Sequence, residues 1–203
     1  MDKINDVYCI PAAGMDSNCY LIGNILIDTG TGQHGDYLFD NLQSEGISPE
    51  DIELIVNTHC HYDHVGGNYL FPNAKVAIHE IDAEPLKAEN HPLTVSGMFG
   101  DTVKRHDVDM ELKEGDKIAD FEVLHTPGHT KGGICLYDGE VLISGDTLFS
   151  HGGFGRTDIG GNFEDMKNSI TRLKDLNVEY ILPGHGPYVD KGNRHIFMSY
   201  SQF

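Results

Sequence analysis

Basic residues are scarce in this chain. Lys and Arg number 14 against 32 Asp and Glu, a formal charge of −18. A field of that sign repels phosphate backbones, whose binding needs Lys and Arg, so nucleic acid is not an expected partner. Cysteine is also sparse. Cys9, Cys19, Cys60 and Cys135 form no Cys-x-x-Cys pair, which argues against a zinc ribbon or a disulfide framework and leaves buried thiols as the reading. No apolar run approaches the roughly 18 residues of a membrane span. Residues 1–6 lack the basic-then-apolar order of a secretory signal, so a cytoplasmic protein with no membrane partner is expected. No short repeat or low-complexity tract is present. The 203 residues, 39% apolar and 23% charged, suit one domain spanning 1–203 with a sizeable core.

Short apolar runs dominate the first part. Segments 7–11, 18–22 and 24–28 read as strands, with Gly23-Asn24 as a hairpin turn. Leu38, Phe39 and Leu42 share one face of a helix over Gly35–Ser44. Ser48-Pro49-Glu50-Asp51 has the composition of a helix start. A strand over 52–57, another over 75–79 and a helix over 81–88 follow. Residues 91–107 read as a long irregular loop, which is either functional or mobile. Strands return at 111–112, 117–118, 121–125, 133–137 and 141–144, with Asp138-Gly139 as a hairpin turn. Met166, Ile170 and Leu173 mark an amphipathic helix from about Asn162, and a last strand covers 180–182. Strands punctuated by helices indicate a layered α/β arrangement.

The chemistry is concentrated in His59-Cys60-His61-Tyr62-Asp63-His64, directly after the 52–56 run. Imidazoles with a carboxylate suit zinc, iron or manganese better than calcium or magnesium. A surface loop rich in His would look similar. Three further turns weigh against that: Thr126-Pro127-Gly128-His129-Thr130, Ser144-Gly145-Asp146-Thr147 and Pro183-Gly184-His185-Gly186, each following an apolar stretch.

Taken together, His59-x-His61-x-Asp63-His64, His129, Asp146 and His185 resemble the ligand set of the metallo-β-lactamase fold hydrolases, over about residues 18–186. Asp28 in Ile27-Asp28-Thr29-Gly30 matches that family's first motif. Gly155-Arg156-Thr157-Asp158 resembles glyoxalase II-like thioesterases and their persulfide dioxygenase relatives. The resemblance implies a four-layer αβ/βα sandwich of the α/β (α+β) class, with the metal site at one edge between two mixed sheets. It implies two divalent ions, zinc first, with iron or manganese as alternatives. His59, His61 and His129 would hold one ion. Asp63, His64 and His185 would hold the other, and Asp146 would bridge them. Asp63 is also the catalytic candidate. Asp28 and Thr29 would support the ligand loops by hydrogen bonds, a plain turn role being the alternative for Asp28. Arg156 would meet a substrate carboxylate or form an internal ion pair. Cys60, between two ligands, would point away from the metals. His34, His79, His91, His106, His125, His151 and His195 match no ligand position.

The implied reaction is hydrolysis by a metal-bridging hydroxide, since metal-bound water ionises near neutral pH. A thiol has a pKa of about 8.5, so a thiolate leaves without an acid. The expected substrate is therefore a small thioester such as S-lactoylglutathione, with a lactonase as a variant. A persulfide dioxygenase-like oxidoreductase with one iron on His59, His129 and Asp146 is the alternative. A non-catalytic scaffold of the same fold would be favoured by a lost ligand, and none of the seven is lost. Classical glyoxalase II enzymes bind glutathione on a C-terminal helical extension. Only 17 residues follow Gly186 in this chain, so loops 91–107 and 154–161 become the expected substrate walls.

Overall fold

The computed structural model describes residues 1–88, 91–103 and 107–203. The assignment of His106 and part of the 91–107 loop therefore lie outside the described residues. The chain forms two compact units, Met1–Ile78 with Ala83–Glu111 and His79–Asp82 with Leu112–Phe203.

In the first unit β1 (Asp2–Ile4), β2 (Val7–Ile10), β3 (Cys19–Ile22) and β4 (Ile25–Ile27) form an antiparallel meander. Helix α1 (Gly35–Ser44) returns the chain to β5 (Leu54–Val56), which lies parallel to β4, and β6 (Lys75–His79) lies parallel to β5. Leu26, Ile27, Ile55 and Val56 are fully buried, as the strands of a parallel stretch must be when both faces are covered. Leu38 and Leu42 of α1 bury against Leu21, Leu26, Ile55 and Phe71. The segment at Ser48 becomes a single 3-10 turn, Pro49–Asp51, whose Asp51 carboxylate accepts from Ser48 N at 2.9 Å and Ser48 Oγ at 2.8 Å. Ile52 is already extended, so no α-helix grows from it. Helices α2 (Tyr62–Val65) and α3 (Glu80–Lys87) follow β5 and β6, and β7 (Met110–Leu112) ends the sheet order β1-β2-β3-β4-β5-β6-β7. The expected irregular loop contains two 3-10 turns, Pro92–Thr94 and Ser96–Phe99, joined by Val95 at φ 53°.

The second unit's sheet has the order β12-β11-β10-β9-β8. It comprises β8 (Lys117–Ile118), β9 (Phe121–His125), β10 (Ile134–Tyr137), β11 (Val141–Gly145) and β12 (Tyr180–Pro183). β8 to β11 pair antiparallel, and β12 is parallel to β11. Asp138 closes the β10–β11 turn by accepting from Glu140 N at 2.9 Å and Val141 N at 2.7 Å. Helix α4 (Phe163–Leu173) is capped by Asn162, whose side chain accepts from Asp165 N at 3.0 Å. Its Met166, Ile170 and Leu173 bury with Leu124, Cys135, Leu142 and Ile181. Both sheets are mixed and carry helices, the expected α/β class. All four cysteines are buried and none forms a disulfide. Burial pushes the Cys9 thiol up to about 12 and that of Cys135 to about 11, which keeps both unreactive.

A fifth helix, α5 (Gly192–Tyr200), has no counterpart in the sequence reading. Of its apolar residues Ile196 is buried in the core cluster and Tyr200 packs partly buried against it, too short a periodic signal to read. Its His195 Nδ1 accepts the backbone N–H of His151 at 2.9 Å, which fixes the turn Ser150–Gly152. An accepting Nδ1 requires a neutral ring. Burial first, then His151 and Arg194, hold the His195 pKa below its ordinary 6.5, against an opposing pull from Asp190. The folded chain thus refuses a proton that the unfolded chain accepts, so this stabilisation is present above pH 6.5 and lost as pH falls through the lower folded value. His195→Asn keeps an acceptor oxygen and removes the titration. Urea midpoints of the metal-stripped variant are expected to fall less between neutral and acid pH than those of the parent. Equal pH slopes for the two proteins would count against His195.

Candidate metal centre

The candidate-ligand turn of the first unit, His59 to His64, starts where β5 stops, at the carboxyl end of a parallel strand, the usual place for a site in an open α/β sheet. Cys60 and Tyr62 go into an apolar cluster with Val65, Ile78 and Leu86. Tyr62 OH donates to Asp101 at 2.7 Å, and its ring lies 5.4 Å from that of Phe99. Cys60 is packing, as expected. His59 lies with its ring centroid 4.7 Å from that of His61 and 4.1 Å from that of His64. Asp63 Oδ2 is 3.9 Å from His64 Nε2.

Asp28 organises these rings. It sits at φ 58°, a left-handed conformation that Asp tolerates better than most residues. Its Oδ1 accepts from Thr58 N at 2.8 Å. Its Oδ2 accepts from Thr58 Oγ1 at 2.7 Å and His64 Nδ1 at 2.8 Å. An ionised carboxylate can only accept, so His64 carries its proton on Nδ1 and presents a lone pair at Nε2. The Thr58 hydroxyl proton is spent on Asp28. Its oxygen, 3.1 Å from His59 Nδ1, therefore accepts, and His59 adopts the same tautomer. Thr29 holds the backbone instead: its N–H and Oγ1 both meet His64 O, at 2.9 and 3.1 Å, and Oγ1 also meets Asn68 Oδ1 at 2.8 Å. The sequence reading missed Thr58 and the paired amides of Asn57 and Asn68, 2.8 Å apart. The available signal was Asn57-Thr58 standing directly before His59. Gly67 has no room for a side chain, since a Cβ would lie 2.2 Å from Thr29 O.

In the second unit His129, Asp146 and His185 follow β9, β11 and β12. Asp146 Oδ2 lies 3.4 Å from His129 Nε2 and 3.6 Å from His185 Nε2. His129 Nδ1 donates to Arg156 O at 2.7 Å, which again leaves Nε2 as the lone-pair nitrogen. The Gly155-Arg156-Thr157-Asp158 segment acts through its backbone. A Cβ on Gly155 would lie 2.2 Å from Asp146 O and 2.8 Å from His129 Nδ1, so only Gly allows this approach. The Arg156 guanidinium makes two 2.7 Å bonds to the Asp158 carboxylate, holding the Asp158 pKa to about 2. The internal ion pair expected of Arg156 is thus formed, with both side chains exposed. His125 bonds Lys131 O at 2.9 Å and stacks on His79 at 4.0 Å. His34 pairs with Asp16 at 2.9 Å, and His91 accepts from Leu93 N at 3.2 Å.

Imidazoles locked with Nε2 presented, together with carboxylate oxygens, are the donor set for zinc, iron or manganese. Similarity to known proteins agrees with this chemistry. The chain belongs to the metallo-beta-lactamase superfamily, whose sequence model matches residues 12–185. It is 36% identical over 196 residues to a "probable metallo-hydrolase" of Methanocaldococcus jannaschii, covering 88% of this chain and 91% of that one. It is 30% identical over 209 residues to the Homo sapiens acyl-coenzyme A thioesterase MBLAC2, covering 85% and 74%. The solved structure of TTHA1623 in a di-iron-bound form superposes with a TM-score of 0.77 at 29% identity, covering 92% and 96%. The two mixed sheets and their helices are the αβ/βα fold of this superfamily. Among the described residues no helix is long and apolar enough to cross a membrane.

Proposed function

We propose that this chain is a binuclear metallohydrolase that cleaves S-acyl thiols. The observation that carries the reading is Asp146, whose one oxygen faces the Nε2 atoms of both His129 and His185. A carboxylate so placed can serve two ions. In this reading His59, His61 and His129 would hold one ion, Asp63, His64 and His185 would hold the other, and Asp146 would be shared. When bound, such ions supply Lewis-acid polarisation of an acyl carbonyl and a water-derived nucleophile at neutral pH. The chain's own residues prepare this. Asp28 with Thr58 holds the Nδ1 protons of His64 and His59, Arg156 O holds that of His129, and Asp63 and Asp146 supply negative charge. Zinc is the first expected ion, and the di-iron form of TTHA1623 keeps iron in view. The substrate class is supported by the human relative named as an acyl-coenzyme A thioesterase and by the low pKa of thiol leaving groups. The net charge of −18 disfavours nucleic acid.

The test is elemental analysis of the purified protein followed by a thioester panel, with and without oxygen. Two metals per chain are expected, with oxygen-independent hydrolysis of S-lactoylglutathione and of thioesters bearing other thiols at comparable rates. One iron per chain with oxygen consumption would replace the reading with a persulfide dioxygenase. Turnover of lactones alone would replace it with a lactonase.

A further inference from the structure

We infer that Asp82, a residue of α3, is a positioning residue for the ligand His129, an inference that rests on the binuclear reading above. Asp82 is 3% exposed. Its Oδ2 accepts from Thr130 Oγ1 at 2.7 Å, and its Oδ1 accepts from Gly132 N at 2.8 Å. Thr130 is the next residue after His129, so the carboxylate grips the loop one peptide from the ligand. The fit is close: a Cβ on Gly132 would lie 2.5 Å from Asp82 Oδ1. The same loop is closed on itself by Gly128 N donating to Thr130 O at 2.9 Å and Thr126 N donating to Gly133 O at 2.8 Å.

His129 is therefore fixed from two directions. Arg156 O sets the ring and its tautomer, and Asp82 sets the backbone from which the ring projects. Hydrogen bonds to an ionised acceptor are shorter and stronger than neutral ones, which suits a carboxylate to this task. Asp82 lies in the first turn of α3, where the helix dipole favours negative charge and offsets part of the burial cost. Asp28 plays the matching part for His64 and His59, so each group of ligands has its own buried aspartate. Outer partners of this kind typically change metal affinity ten- to a hundredfold when lost.

The experiment compares Asp82→Ala, Asp82→Asn, Thr130→Val and the parent by two measurements. The first is amide hydrogen exchange of the metal-free proteins. The second is zinc titration against a competing chelator, resolved into two binding steps. Asp82→Ala is expected to raise exchange over residues 126–133 selectively and to weaken one zinc by about ten- to a hundredfold while the other stays within about twofold. Asp82→Asn should restore both readouts, because its carbonyl can accept from Gly132 N while its amide donates to Thr130 Oγ1. Thr130→Val, which removes one donor only, should give an intermediate shift and covers the case in which Asp82→Ala fails to fold. Exchange that rises throughout the chain with both zincs weakened alike would overturn the inference, as would unchanged exchange over 126–133. A parent that binds fewer than two zincs would instead overturn the binuclear reading, and the exchange data on metal-free protein would still decide what Asp82 holds.

Discussion

Asp146→Asn is expected to strip at least one metal from the protein and to lower kcat on the order of a thousandfold, about 4 kcal/mol of transition-state stabilisation. The side chain keeps its size, so the fold should survive. What changes is the sign of the site. The Asp146 oxygen that faces two imidazole Nε2 atoms at 3.4 and 3.6 Å loses its charge, or is exchanged for an amide nitrogen. An N–H in that position would donate to the Nε2 lone pair of His129 and compete with any ion for it. Elemental analysis of the variant, with kcat measured at saturating zinc, is the check. Full metal content with full activity would remove Asp146 from its bridging role.

The second large effect is expected from Asp28→Asn, although Asp28 is outside the candidate ligand set. The Asn carbonyl will face Thr58 N, a fixed donor now 2.8 Å from Oδ1. The amide nitrogen then takes the place of Oδ2 and points its hydrogens at Thr58 Oγ1 and His64 Nδ1. His64 can answer only by moving its proton to Nε2, which removes the lone pair from the side where a metal would bind. A wrong-tautomer histidine of this kind is known to be costly in another setting, the Ser-His-Asp triad, where the Asp→Asn change lowers kcat by about ten-thousandfold. For Asp28→Asn a loss of about ten- to a hundredfold in metal affinity is the conservative expectation. Folding stability should also drop by about 1.5–3 kcal/mol for the lost charged hydrogen bond. Ring nitrogen-15 shifts of His64 in the metal-free variant report the tautomer directly. If His64 kept its proton on Nδ1 and bound metal as before, Asp28 would not be the group that sets the His64 tautomer.

Much of the architecture was legible in the chain because local patterns agreed with the global fold. The helix expected over residues 35–44 is α1 as observed, since its apolar spacing and tertiary burial point the same way. Strands 75–79 and 121–125 likewise coincide with β6 and β9. The Asp138-Gly139 turn closes as its residues dictate. Strand β1 and helix α5 were not legible. Strand β1 is only Asp2–Ile4 with two exposed residues, so it has no alternating pattern and exists because β2 offers it a free edge. Helix α5 buries Ile196 but leaves Phe197 60% exposed, so its composition argues against a helix that tertiary contacts with Ser150–Gly152 stabilise.

By itself the sequence named the candidate ligands and their order, because His, Asp and Gly at turns after apolar strands are local facts. It determined the acidic surface and the buried thiols for the same reason. Only the tertiary structure decided how these candidate ligands are oriented. Asp28 and Thr58 are separated by 30 residues, His129 and Arg156 O by 27, and Asp82 and Thr130 by 48. Hydrogen bonds over such separations depend on which strands pair and where loops close, and no periodicity along the chain encodes them. The tertiary structure also gives Arg156 a backbone role that its charge did not announce: its carbonyl accepts from His129 Nδ1, while its guanidinium pairs with Asp158 two residues on.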